Sequence, residues 1–231
     1  MGTRRDIYEQ LLDAFREQNA RAPKSPQRQA LEAELEAHGI DTKDFGIFSS
    51  VAPTTFDAEA AAPLLVEWLP RIQDPVEKEV IARSLTGTRS ARSEAARAIL
   101  EEFRNAPMND ETTKWAYANA LATLADAAVA DDLVELIRDT RHGRAREMLC
   151  DALKRTKDPR APDVLIKLID DDDVAGHAIL ALRSYGPKSA LPHLRRAEPK
   201  LAAVLGRPTS TEFARRQARK ALERIGKPRA R

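Results

Sequence analysis

The chain has 231 residues, with 38 Lys and Arg against 36 Asp and Glu, a single cysteine and only 5% aromatic residues. One cysteine, Cys150, makes no internal bridge, which excludes a disulfide scaffold and makes the cytoplasm the expected compartment. The longest apolar run, residues 60–66, is far below the roughly 18 residues of a membrane span and contains Pro63, and acidic residues between Asp6 and Glu17 break what would be the apolar core of a signal peptide.

In chain order, residues 1–56 read as a helical cap followed by a loop. Ile7, Leu11, Ala14 and Phe15 fall at helical spacing, and Ala30, Leu31 and Leu35 mark a second helix over about residues 25–38 that stops at Gly39. Residues 40–57 set Phe45, Ile47, Phe48 and Phe56 among Asp, Ser, Thr and Pro, the composition of an ordered loop packed on the element that follows.

From residue 57 the chain repeats itself. Residues 165–171 (LIKLIDD) restate residues 133–139 (LVELIRD), and looser copies start at Leu65, Leu100 and Leu191. Each copy is followed by a small residue and then a leucine, at Leu85, Leu121, Leu153, Leu182 and Leu222, which stand 36, 32, 29 and 40 residues apart. Two helices of ten to fourteen residues with short turns need about 30–40 residues, so each period is one helical hairpin. Within a hairpin the apolar residues keep the helical spacing, as at Val80, Ile81 and Leu85, and no run alternates as a strand does. Gly186 and Gly226 stand where left-handed helix caps are expected. The fold class is all-α, with about five repeats over residues 57–227 and a basic tail over 228–231.

The stretch from Asp158 and Pro159 through Leu165, Asp171 and residues 178–182 to Gly186 resembles one whole HEAT repeat, of the short phycobilin-lyase type. That resemblance implies an α-solenoid, a right-handed superhelix of stacked helical hairpins with first helices on the convex face and second helices on the concave face. It implies a non-enzymatic scaffold or adaptor. The minority of enzymes in this family supplies two alternatives. In the alkylpurine DNA glycosylases built from HEAT-like repeats, concave aromatics hold a lesion beside a catalytic carboxylate. Trp115 matches the aromatic, but Asn119 stands where the carboxylate belongs, leaving Asp151 as a substitute one repeat away. The phycobilin-lyase alternative rests on repeat style.

Stacking the second helices on their late leucines turns the sequence into spatial columns. Seven residues before the leucine stand Lys78, Lys114, Arg146, Ala175 and Arg215, and four before those stand Asp74, Asp110, His142, Asp171 and Thr211. In the two repeats that carry both charges, and by resemblance to the Asp–Arg ladder of HEAT repeats, the acid is expected to cap the second helix and to pair with the base. Six before the leucine come Glu79, Trp115, Glu147, Gly176 and Arg216; the neighbouring columns hold Asn119, Asp151 and Lys220, then Lys154 and Arg183. The expected binding face therefore has Trp115, Asn119 and Asp151 at its centre, Glu147 and Lys154 beside them, and Arg183, Arg216 and Lys220 as a basic flank, with a protein as partner.

Charge is uneven: residues 1–120 carry 15 basic and 20 acidic side chains, whereas residues 182–231 carry 14 basic and three acidic. The basic C-terminal repeats thus suit acidic partners in general, nucleic acid among them. No cofactor or metal is expected. The four histidines lack ligand spacing, and Cys150 falls in a column of small core residues. Residues 170–173, four consecutive aspartates, lack the alternation of a calcium loop and read as a solvated, helix-capping turn.

Overall fold

The computed structural model describes residues 4–47 and 55–226, without the side chains of residues 4–11, 187 and 188. The side chains of Ile7 and Leu11, together with Phe48 and the basic tail, therefore lie outside what is described. Those described form helices and turns and no strand, in two compact units, Met1–Asn105 and Ala106–Arg231.

In the N-terminal unit, α1 (Arg4–Arg21) and α2 (Pro26–Ala37) precede α3 (Ala58–Trp68), α4 (Pro75–Leu85) and α5 (Arg92–Asn105). The Ser25 side chain caps α2 and Gly39 sits just beyond its end at φ 77°, as the sequence predicts, although Ala30 points to solvent while Leu31 and Leu35 are buried. The loop is packed where it is described. Phe45 is fully buried, stacked on Phe56 at 4.8 Å and covered by the Arg28 guanidinium at 3.8 Å. Asp44 is buried beside it. Burial pushes its carboxyl up, but Arg16 at 2.7 Å and the N–H and hydroxyl of Thr55 outweigh this and hold it at about 2.

In the C-terminal unit, α6 (Glu111–Leu124) is followed by three hairpins: α7 (Ala130–Arg138) with α8 (Leu149–Arg155), α9 (Ala161–Leu168) with α10 (Ala175–Ser184), and α11 (Pro187–Gly206) with α12 (Glu212–Gly226). Helices α6, α8, α10 and α12 lie side by side as one layer, backed by the first helices. The repeated leucines fill the space between: Leu121, Leu133, Leu153, Leu165 and Leu182 are fully buried, as is Leu85 in the other unit. Leu222 is half-buried, its small neighbour Ala221 taking the inward position.

The capping half of the acid column holds. Asp74 accepts from the N–H groups of Val76 and Glu77, Asp110 from that of Thr113, and Thr211 from that of Ala214. The pairing half is corrected at Lys78. Lys78 reaches Glu102 of the following helix at 2.5 Å, Arg146 reaches Asp171 of the following repeat at 2.7 Å, and Arg215 donates to the carbonyls of Arg207 and Pro208. At Lys78 the carboxylate of Asp74 is already taken by backbone N–H groups, which leaves the ammonium to find its acceptor on the following helix.

Two further expectations are corrected. Gly186 caps the start of α11 at φ −50°, and Gly226 ends α12 without a positive φ, so neither is a left-handed cap. The aspartates of residues 170–173 are cross-linked rather than merely solvated. Asp170 pairs with Lys200, Asp171 with Arg146, and Asp172 with Arg207 at 2.8 Å and the Thr209 hydroxyl. Arg219 on α12 is half-exposed and bonded to Glu212.

Candidate binding face of the second helices

Most of helix α6 is buried, with Lys114, Ala116, Tyr117, Ala118, Ala120 and Leu121 inside. What remains outside is a narrow stripe: Glu111, Thr112 and Trp115 are exposed, Asn119 and Ala122 half-buried, and Thr123 exposed. Trp115 is 40% exposed, whereas Tyr117, two residues on, is 1% exposed. Lys114, on the inward side, is fully buried, and desolvation pulls its ammonium pKa down against the raising influence of Asp110 and Asp139.

The segment facing this stripe is the tight turn Thr140–Arg146, broken at Gly143 with φ 51° and ψ −135°. An L side chain is strained there, so glycine is what lets the chain fold back toward α6, close to the Glu111 carboxylate. The result is an open cleft of about 300 Å³ lined by Glu111, Thr112, Trp115, Arg144, Ala145 and Glu147. Arg144 Nε donates to Glu147 Oε1 at 3.0 Å, and the other Glu147 oxygen lies 3.9 Å from His177 Nδ1. Burial pushes the His177 imidazole pKa down, with the carboxylate of Glu147 opposing it.

Beyond His177 the face continues onto α12, the His177 and Phe213 rings lying 4.9 Å apart and the Arg216 guanidinium 5.5 Å from the Phe213 ring. Gly176 makes this approach feasible, because a Cβ there would come within 2.7 Å of Phe213 Cε1. Gly176→Ala is therefore expected to destabilise the chain by about 1–3 kcal/mol. In urea unfolding, combining it with Phe213→Ala should cost clearly less than the sum of the two single changes, since the second removes the clash made by the first.

The expected site residues divide into three groups. Trp115 and Glu147 share the cleft, and Asn119, one turn along α6, has a side chain with no hydrogen-bond partner among the described residues. Asp151 is tied to Lys154 at 2.9 Å, and Lys154 in turn donates to the Ser184 hydroxyl of α10 at 2.9 Å. Arg183 donates to Gln217 Oε1, and burial first, then the neighbouring Arg224, lower its pKa. Arg216 and Lys220 are exposed on α12. The sequence reading missed Glu111, Arg144, His177 and Phe213. Glu111 was signalled by its position four before Trp115, and Phe213 by a glycine in a column of larger residues.

Among the described residues no group of three or more His, Cys, Asp or Glu side chains is arranged to hold a metal, and no helix is long and apolar enough to cross a membrane. Cys150 is buried, and desolvation raises its thiol pKa well above the ordinary range. Compared with known protein families, residues 107–183 match the model for HEAT repeats. This segment is a HEAT-repeat array. It runs from the approach to α6 through most of α10 and so contains Trp115, Asn119, Glu147, Asp151, Lys154 and Arg183; Arg216 and Lys220 lie beyond it. No curated protein and no solved structure matches the chain. HEAT repeats are helical scaffolds that generally mediate protein interactions.

Proposed function

We propose that the layer of second helices in the C-terminal unit is a docking face for another protein, and that the chain acts in the cytoplasm as a non-enzymatic scaffold or adaptor. One observation carries this reading: an indole 40% exposed at the mouth of a cleft, on a helix most of whose side chains are buried. Trp is enriched among interface residues whose truncation costs about 2 kcal/mol or more. Leu180, 40% exposed on α10, adds a second apolar contact in the same layer. The centre would be Trp115, Asn119 and Glu147, with Asp151 and Lys154 beside them and Arg183, Arg216 and Lys220 as the basic flank.

The internal bonds of the basic side chains argue against nucleic acid as partner. Arg215 is held by carbonyls, Arg219 by Glu212 and Arg183 by Gln217, which leaves Arg216 and Lys220 as a short cationic track. Crosslinking and capture from source cells with the wild-type chain should recover a specific protein, and Trp115→Ala should reduce its yield at least tenfold. Duplex DNA should bind no better than the roughly 10⁻⁴–10⁻⁶ M of non-specific association at physiological salt. Nanomolar duplex binding that is lost on Arg216→Glu and Lys220→Glu would overturn the protein-partner reading.

A further inference from the structure

We propose that the cleft between α6 and the Thr140–Arg146 turn receives a positively charged side chain, Lys or Arg, from the partner polypeptide. The proposal rests on the docking face above and adds the chemistry of what enters it.

The first support is the exposed wall itself. A cation over the face of an indole is attracted by the ring quadrupole, and Trp is the best of the aromatic residues at this. The second is the balance of charge. Two carboxylates and one guanidinium line the cleft, and that guanidinium, Arg144, is already held by Glu147. Glu111, one turn from Trp115 on the same exposed stripe, forms no ion pair among the described residues. The second oxygen of Glu147 faces His177, whose imidazole burial disfavours in its charged form. The uncompensated charge beside the indole is therefore negative.

Size is the third support. At about 300 Å³ the cleft lies at the lower limit of small-molecule pockets, and it suits one long side chain better than a whole metabolite. A Lys or Arg stem can lie along Ala145 and the indole while its head reaches Glu111. A carboxylate entering by the same route would meet Glu111 as a like charge. An apolar side chain would cover that carboxylate and give it no counter-charge.

The test uses the full-length chain, labelled with ¹⁵N, and follows the indole N–H signal of Trp115, assigned by its loss in Trp115→Phe. Three capped peptides of Gly and Ser, differing only in three central residues that are Arg, norleucine or Glu, serve as probes alongside a single-stranded oligonucleotide. The Arg peptide is expected to shift the Trp115 signal and leave that of Trp68 in place, with an apparent Kd at least tenfold below those of the other probes. Glu111→Gln should weaken it at least threefold and Trp115→Leu should abolish it, the latter read from the backbone N–H signal of Gly143 on the facing turn, with an otherwise unchanged amide spectrum of the C-terminal unit reporting that each variant is folded. Equal binding of the norleucine peptide, tighter binding of the Glu peptide or the oligonucleotide, or indifference to Glu111→Gln would overturn the proposal. If Arg peptide binding fails while a captured protein still depends on Trp115, the cationic slot falls and the docking face stands. If the Arg peptide binds as expected and no protein depends on Trp115, the reverse holds.

Discussion

Replacing Arg146 with alanine is expected to destabilise the C-terminal unit by about 3–5 kcal/mol, read from the midpoint of urea unfolding at constant slope. Arg146 is fully buried and serves several acceptors at once. Its Nη1 donates to Asp171 at 2.7 Å and to the Ile137 carbonyl at 3.2 Å, and its Nε to the Gly143 carbonyl at 2.9 Å. Alanine removes every donor together and leaves two carbonyls and a carboxylate without their partner. Asp171 keeps 22% of its side chain in contact with water and can hydrate in part, which places the expected loss toward the lower end of the range. Lysine retains the charge but has no planar fork to serve three acceptors, so Arg146→Lys should fall between wild type and alanine. A loss under about 1 kcal/mol for Arg146→Ala would mean that the guanidinium is only filling space.

Leu165→Ala is the second large effect, at about 2–5 kcal/mol in the same measurement. Leu165 is fully buried on α9, where that helix packs against α8, α10 and α11, so several elements would have to move together to close the gap. Lys167, two residues on and exposed, provides the contrast: Lys167→Ala should stay within about 0.5 kcal/mol of wild type. Equal effects at the two positions would contradict the assignment of the inward face of α9.

Those inward faces were legible in the sequence because helical periodicity and the recurrence of a leucine phrase are properties of neighbouring residues. The same holds for the caps at Asp74, Asp110 and Thr211, each of which acts on N–H groups two or three residues away. What the sequence concealed depends on residues brought together from different repeats. Arg146 finds Asp171 only once α9 and α10 have stacked on α8, and no spacing within one helix announces it. The cleft beside Trp115 depends on the fold-back at Gly143, a single glycine in a basic run that gives no periodic signal of any kind. Trp115 itself was identifiable as an outlier in its column, but whether it lay inward beside Tyr117 or outward was decided by how completely the remainder of α6 is enclosed.

The forward reach of Arg146 bears on whether this array can be shortened. In a strictly modular stack, each hairpin satisfies its own polar groups, and the chain can be trimmed at any turn with loss of one interface. Here the guanidinium of one hairpin is completed by carboxylates of the next, Asp171 at 2.7 Å and Asp173 at 3.5 Å. A chain cut between α8 and α9 would present an arginine with no acid to meet it, at the same surface where the apolar side chains of α9 are stripped away. Polar and apolar losses then coincide at one boundary, so the hairpins on either side of it are bound to fold and unfold as a single cooperative block.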